Sequence, residues 1–534
     1  MRRQLLAVCF LAAFTLTAQQ TPRVGETVEV SIVNVDVVVT DRKGNRVRGL
    51  TKDDFQVLEN GRLQAVSNFA EYAADDPDAR VGVAGSAEAG REKRTFLIFF
   101  EKMQLTGFGA DAITEALKKA VAEVVRPGDT VSVVYWSRYE IEHFDVGDDP
   151  VKIASAIDFL NRKAKTIRLD EREQFMQDER ERGELLRDAP FASEPDSEVG
   201  RLTGSHLTSN FYLQRAYGEM TLRVAAINAA INSIAGIDGR KVFFLATHRL
   251  GEVAGGEFVF AAGADTVPSH LRSMYGTGRL LQSITDNANA AGVTIYPVFP
   301  AGLEGSAGSD YQTLINEKVT LQKIAEKTGG ISAAGSQDVV ELLPRLASDV
   351  GNYYSLAYRV GSDGTDRARD IAVKTRNPEY VVRARTQFVE KSDDTRMRDR
   401  LKAALFRSNP ESQIGISVQA GKAKRSRGAY TVPVEVKIPI RQLTMLRRDD
   451  VRKHAGRFSV YIGVATELNE LSDVTQKTQP FEVTAAQLKR ALGSHFTYEM
   501  DVEVTGKSKY LAVGVFDEVG RTYGLQRIEL EQKK

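Results

Sequence analysis

The feature that most constrains the fold of this chain is an uninterrupted apolar run from Thr95 to Phe100. A run without polar alternation is typical of a strand covered on both faces of a parallel sheet. The next segment repeats apolar residues at three- and four-residue spacing, which predicts an amphipathic helix that Pro127 and Gly128 end. A second apolar run begins at Thr130. We therefore predict a strand, helix and strand of a doubly wound, mainly parallel sheet, whose ligands would bind beside the carboxyl ends of its strands.

The same alternation of strand and helix patterns continues, so we assign residues 94–352 to one α/β domain. One segment, 161–210, is longer than an ordinary connection and carries intermixed acidic and basic residues. We interpret it as an insertion. One interpretation is that it forms a solvated charged helix or a partly disordered loop. The alternative is an arm that binds a partner.

The flanking sequence predicts β structure. Residues 26–72 and 353–390 contain apolar strand patterns and turn signals, and we expect them to pair in one small β-sandwich around the α/β domain. Residues 73–93 are rich in Ala, Gly, Asp and Glu, which is typical of a linker. Residues 411–534 contain repeated β runs separated by turns, which predict a carboxyl-terminal immunoglobulin-like β-sandwich.

Two stretches carry a resemblance to a known family. The apolar strand that ends in Glu101, the helix after it and the Pro127-Gly128-Asp129 turn resemble the von Willebrand factor A domain. The segment Gly49–Phe69 is similar to the one that precedes this domain in the VWFA-related family of secreted acidobacterial proteins. The resemblance covers roughly residues 28–390. It implies a Rossmann-like α/β fold and a role in protein binding or cell adhesion.

The resemblance also implies a metal site, and here the sequence departs from the family pattern. The family carries Asp-x-Ser-x-Ser after the first strand, whereas this chain has Glu101-Lys102-Met103-Gln104-Leu105. A later strand that would end in Thr-Asp-Gly ends instead in Thr247-His248-Arg249. Imidazole and guanidinium groups are poor surroundings for a hard dication that prefers oxygen. We interpret this as a degenerate metal site and assign no cofactor, with Mg²⁺ or Mn²⁺ as the alternative; its rim would comprise Glu101, Gln104, Thr106, Thr247 and His248.

No motif predicts catalysis. The sequence lacks Gly-x-Ser-x-Gly, a phosphate-binding loop and His-Glu-x-x-His, and its six histidines show no spacing typical of metal ligands. We therefore assign no catalytic residue and expect that the protein is not an enzyme.

The amino terminus predicts export. Met1-Arg2-Arg3, an apolar stretch and Leu16-Thr17-Ala18 indicate a signal peptide at 1–18, with an uncleaved anchor as the alternative. No later stretch predicts a membrane span after signal removal. Lys plus Arg (72) balances Asp plus Glu (71), which gives no electrostatic case for nucleic acid. The only cysteine, Cys9, lies in the signal, so we expect no disulfide.

We therefore expect an exported, non-enzymatic protein-binding or adhesion module, periplasmic or secreted. One alternative is a metal-dependent adhesion protein with Glu101 in place of the usual aspartate. A second is a structural envelope protein that associates with itself. The sequence specifies neither the protein partner nor the oligomeric state.

Overall fold

The structure is a computed structural model, and it describes residues 30–73, 76–81, 93–101, 107–137, 141–165, 205–247, 250–256, 269–298, 311–333, 339–361, 364–407, 410–426, 429–448, 453–466, 471–505 and 508–530. The predicted signal peptide at 1–18 and most of the predicted insertion lie outside these residues. The fold combines helices, one five-stranded mixed sheet and several antiparallel sheets.

The described chain begins with five strands: β1 (Val30–Thr40), β2 (Phe55–Glu59), β3 (Arg62–Gln64), β4 (Val66–Ala73) and β5 (Asp76–Val81). β5 falls inside the stretch predicted as a linker, so that prediction is wrong for its six residues. Its main chain pairs antiparallel with β4. Residues 76–81 contain no apolar run, so composition did not indicate a strand there.

The α/β segment follows, with these elements: β6 (Arg94–Glu101), α1 (Gly107–Val124), β7 (Thr130–Trp136), β8 (Ile141–Gly147), α2 (Pro150–Lys165), α3 (Ser205–Ala235), β9 (Arg240–Ala246), α4 (Ser269–Tyr275), α5 (Gly278–Ala291), β10 (Val293–Val298), α6 (Tyr311–Thr328) and α7 (Val339–Gly351). α2 and α3 extend into both ends of the predicted insertion.

The sheet of this segment has the order β10-β9-β6-β7-β8, with β8 antiparallel to β7 and the other neighbours parallel. β6 is central, and all eight of its residues are buried. Phe96 and Phe100 pack in a core with α1, α2 and α7. Leu97 and Phe99 pack in a second core with α3, α5 and α6. Both faces of β6 are therefore covered, which explains its uninterrupted apolar run.

Four strands follow α7: β11 (Tyr353–Gly361), β12 (Ala368–Thr375), β13 (Val381–Ala384) and β14 (Gln387–Val389). They share sheets with the first strands, in the orders β13-β1-β11-β4-β5 and β14-β12-β2-β3. A single apolar core contains residues from both groups, including Val35, Val57, Leu356 and Ile371. The α/β segment is thus flanked by two groups of strands that pair with each other, which we call the amino-terminal sandwich.

The helix α8 (Asp393–Phe406) leads from this sandwich to the last part of the chain. The Ser392 hydroxyl accepts a hydrogen bond from the Thr395 amide and caps its first turn. One buried face of α8 packs on the carboxyl-terminal strands through Met397, Leu401 and Leu405. The other side of α8 meets the end of α3, where Gly236 lies against the Arg400 backbone.

The carboxyl-terminal part contains β15 (Ser417–Ala420), β16 (Lys424–Ser426), β17 (Ala429–Pro439), β18 (Leu446–Arg448), β19 (Lys453–Thr466), β20 (Thr475–Thr484), α9 (Leu488–Ala491), β21 (His495–Val504), β22 (Ser508–Asp517) and β23 (Tyr523–Glu529). Its described strands pair antiparallel in two sheets, one centred on β17 and one on β19. Alternate residues of both sheets, including Val434, Val460 and Val513, share one core. Among the described helices of the chain, none is long and apolar enough to cross a membrane.

Candidate functional site

The carboxyl end of the central strand brings two of the predicted rim residues together. Glu101 is the last residue of β6, and only 2% of its surface is exposed. Phe100 pairs with Ala246 of the parallel neighbour β9, so Thr247 leaves the sheet beside Glu101. Thr247 is fully buried. The other three predicted rim residues, Gln104, Thr106 and His248, lie outside the described residues.

A third residue, which the sequence reasoning missed, completes the arrangement. The Nε of Arg223, from α3, donates to Oε1 of Glu101 at 2.7 Å. The hydroxyl of Thr247 donates to Oε2 of the same carboxylate at 2.5 Å. The side chains of Arg223 and Glu101 are 8% and 3% exposed. We call these three residues the Glu101 cluster; both oxygens of its carboxylate accept hydrogen bonds from within the protein.

The position of Arg223 follows from the periodicity of α3. It lies three residues after Met220 and four before Ile227, and all three side chains are buried on the sheet-facing side of the helix. Its guanidinium carbon lies 5.9 Å from the centre of the Trp136 ring, at the end of β7. An arginine that falls inside an apolar stripe is the signal that would have pointed to this residue.

The Glu101 cluster does not fit a Mg²⁺ or Mn²⁺ ion held in the manner of the resembled family. Such ions need several oxygen ligands, and this cluster offers one carboxylate and one hydroxyl that already bond to each other. The guanidinium of Arg223 also places a fixed positive charge where a cation would compete for the same oxygens. Within the described residues, no group of three or more His, Cys, Asp or Glu side chains is placed to hold a metal ion.

His143 and Lys241 are two described groups whose pKa values are strongly lowered, and both lie where parts of the chain pack together. Burial, with the cations Arg407 and Arg527 nearby, lowers the pKa of His143 to about 4. The His143 ring packs against Phe406 of α8 at 5.1 Å between ring centres. Burial lowers the pKa of Lys241, near the start of β9, to about 8. Neither group is part of the Glu101 cluster.

The sequence matches no protein-family model and no curated protein. Among solved structures, the chain is similar to the human COPII-coat protein Sec24c at 10% identity, over 58% of this chain and 47% of that one, with a TM-score of 0.23. It is similar to a β-glucuronidase from Bacteroides uniformis at 12% identity, over 35% and 19% of the two chains, with a TM-score of 0.14. A structural-genomics target, SoR45, aligns at 8% identity over 23% of this chain and 92% of its own, with a TM-score of 0.14. The chain spans less than half of the first two proteins, and similarity this weak carries no information about function.

Proposed function

We propose that this chain is an exported, non-enzymatic protein-binding or adhesion module built on a von Willebrand A-like, doubly wound α/β domain. The strand order β10-β9-β6-β7-β8 supports the fold assignment. β6, the first strand of the α/β segment in sequence, is central, and β8, the antiparallel strand, is at an edge. Two helix-bearing cores on opposite faces of this sheet agree with it. The two antiparallel sheets after α8 support an immunoglobulin-like architecture for the carboxyl-terminal part.

The observation that carries this proposal is the internal neutralisation of Glu101. Ligands of such sheets bind at the carboxyl ends of the strands, and Glu101 ends the central one. Arg223 and Thr247 occupy both of its oxygens, so this carboxylate is a poor general base and a poor metal ligand. A protein partner would therefore bind directly to the surface at this end of the sheet, with no metal ion between the two proteins.

Export is part of the same proposal and is supported by the sequence of residues 1–18. A basic start, an apolar stretch shorter than a membrane span and a small-residue cleavage motif are typical of a signal peptide. The mature chain would then act in the periplasm or outside the cell.

The experiment that tests the proposal is capture of partners from envelope extract by the immobilised mature chain, with and without a chelator. We expect the same protein to be enriched in both conditions, relative to an unrelated exported protein on the same resin. Recovery of nothing above that control would contradict a binding role.

A calorimetric titration separates the proposal from the metal-dependent alternative. We expect no saturable heat with Mg²⁺, Mn²⁺ or Ca²⁺, because Arg223 already neutralises Glu101. Stoichiometric binding of any of these ions, together with loss of partner capture in the chelator, would favour an adhesion protein with substituted metal ligands.

A further inference from the structure

A cleft of about 160 Å³ lies where the amino-terminal sandwich meets α7, and we call it the seam cleft. Its walls come from β1 and the turn after it, from Ile331 after α6, from β13, and from α7 and Asn352. Its lining residues are Val38, Thr40, Gly44, Arg46, Ile331, Arg345, Ser348, Asp349, Asn352 and Arg383. Three of these ten residues are arginines and one is acidic, so the lining carries more positive than negative side chains.

The first arginine, Arg46, is held in place by neighbours. Its Nη1 donates to Oδ1 of Asn352 at 2.5 Å. Its Nη2 donates to the carbonyl oxygen of Tyr72 at 2.7 Å and to Oε1 of Glu71 at 3.2 Å. The carboxylate of Glu71 therefore balances the charge of Arg46.

The second arginine, Arg383, is held in the same way by Asp349. Its Nη1 donates to Oδ2 of Asp349 at 2.9 Å, and its Nη2 donates to the other oxygen of the same carboxylate. The Tyr296 hydroxyl donates to Oδ2 of Asp349 at 3.1 Å and helps to fix it. The charge of Arg383 is therefore balanced as well, and its position is fixed before any ligand arrives.

The third arginine, Arg345, differs from the other two. It is exposed, and within the described chain it makes no ion pair and no hydrogen bond. Its Nη2 lies only 2.7 Å from the position that a β-carbon would take on Gly44, so the glycine leaves room for the guanidinium at the cleft. Two of the three arginines in the lining are thus paired with the carboxylates of Glu71 and Asp349. Arg345 has no carboxylate partner among the described side chains and supplies the excess positive charge.

We propose that the seam cleft binds a small oxyanion, a carboxylate or a phosphate group, through the guanidinium of Arg345. A guanidinium offers a planar fork of donors that matches both anions. The hydroxyls of Thr40 and Ser348 line the same cleft and can donate to the bound group. The volume is well below that of a pocket for a drug-sized molecule, so it suits one anionic group. This site is independent of the binding role proposed for the carboxyl end of the sheet.

The test is isothermal titration of the full mature chain with two probes, inorganic phosphate and succinate, in a buffer without competing oxyanions. The variant is Arg345→Ala, which removes an exposed side chain. The matched control is Arg279→Ala on α5, which removes an exposed arginine that likewise has no partner within the described chain. We expect saturable millimolar binding to wild type, weakened at least about tenfold by Arg345→Ala and unchanged by Arg279→Ala.

Each outcome decides the question. Binding of phosphate alone identifies a phosphate site, binding of succinate alone identifies a carboxylate site, and both support the proposal if Arg345→Ala weakens them. No saturable binding of either probe would overturn it. Equal weakening by Arg345→Ala and Arg279→Ala would also overturn it, because the effect would then reflect overall charge and not the cleft.

Discussion

The Nε of Arg223 lies 2.7 Å from Oε1 of Glu101, and both side chains are almost without solvent contact. Removing one charge from such a pair leaves the other buried without compensation. We therefore expect Glu101→Gln to lower the free energy of unfolding by about 3–5 kcal/mol. The measurement is the midpoint of denaturant unfolding, followed by a probe of the α/β segment such as Trp136 fluorescence.

Two further variants make this prediction specific. The exposed pair between Lys323 and Glu252, 57% and 54% exposed, is the control, and Glu252→Gln should cost no more than about 1 kcal/mol. The double variant Glu101→Gln with Arg223→Met should recover part of the loss, because no buried charge is left unpaired. If the double variant loses more unfolding free energy than the two single variants lose together, a direct pairing is contradicted.

The contact between α3 and α8 depends on a glycine. A β-carbon on Gly236 would lie 2.3 Å from the backbone nitrogen of Arg400, closer than any real contact. We expect Gly236→Ala to push the two helices apart and to lower the unfolding free energy by about 1–3 kcal/mol. The control is Gly218→Ala on α3 itself, where a β-carbon has nothing within 4 Å.

Gly218→Ala should be neutral or stabilising by up to about 1 kcal/mol, because alanine favours the helix. Thermal unfolding of the full chain measures both variants. Equal melting temperatures for Gly236→Ala and Gly218→Ala would show that the close approach of the two segments is not needed.

The lowered pKa of His143 predicts sensitivity to acid. Its folded pKa of about 4 lies below the ordinary 6.5, so the unfolded chain binds this proton first as the pH falls. Stability from His143 is therefore complete above about pH 6.5 and is lost as the pH falls towards about 4. Phenylalanine at this position keeps a ring against Phe406 but does not titrate.

We expect the unfolding free energy of wild type to fall more steeply than that of His143→Phe across this pH range. Because Asp145 nearby is present in both proteins, the difference between the two curves isolates the histidine. Parallel curves would contradict the assignment.

The lowered pKa of Lys241 predicts that stability changes with pH in the alkaline range. Its folded pKa of about 8 lies below the ordinary 10.5, because burial penalises the charged amine. Between these two values the unfolded chain binds more protons, so stability should rise as the pH is raised from about 8 to 10.5. At neutral pH the protein carries a cost for charging a buried amine.

Lys241→Met should therefore be more stable than wild type at pH 7, by the order of 1–3 kcal/mol, and the difference should shrink in alkaline buffer. Denaturant unfolding at several pH values measures it. A variant less stable than wild type at pH 7 would show that the amine makes a net favourable contact there.

The sequence predicted the parts of the fold that depend on continuous apolar patterns. β6 and the helices with regular apolar stripes are of this kind, since burial and periodicity are written into neighbouring residues. β5 was missed because it depends on main-chain pairing with β4. The predicted insertion extended over the first six residues of α3, 205–210, because that stretch shows no regular apolar spacing.

The candidate site could be predicted only in part, for a related reason. Glu101 and Thr247 follow two apolar strands, and parallel strands bring their carboxyl ends together. Arg223 lies more than a hundred residues away on a helix, and an arginine is ordinarily assigned to the solvent face. Its place in the apolar stripe of α3 indicates a buried side chain but not the carboxylate that it contacts, so the sequence indicated a weakened metal site without the residue that neutralises Glu101.

The ring of Tyr72, near the end of β4, stacks on that of Tyr353, the first residue of β11, with 4.6 Å between ring centres. The chain leaves the amino-terminal sandwich after β5, which pairs with β4, and returns to it through β11, which pairs with β4 on the other side. β4 thus lies between the strand that leads out to the α/β segment and the strand that receives its end, and β1 holds β11 from the other side. Unfolding of this one sheet would therefore release both ends of the α/β segment together.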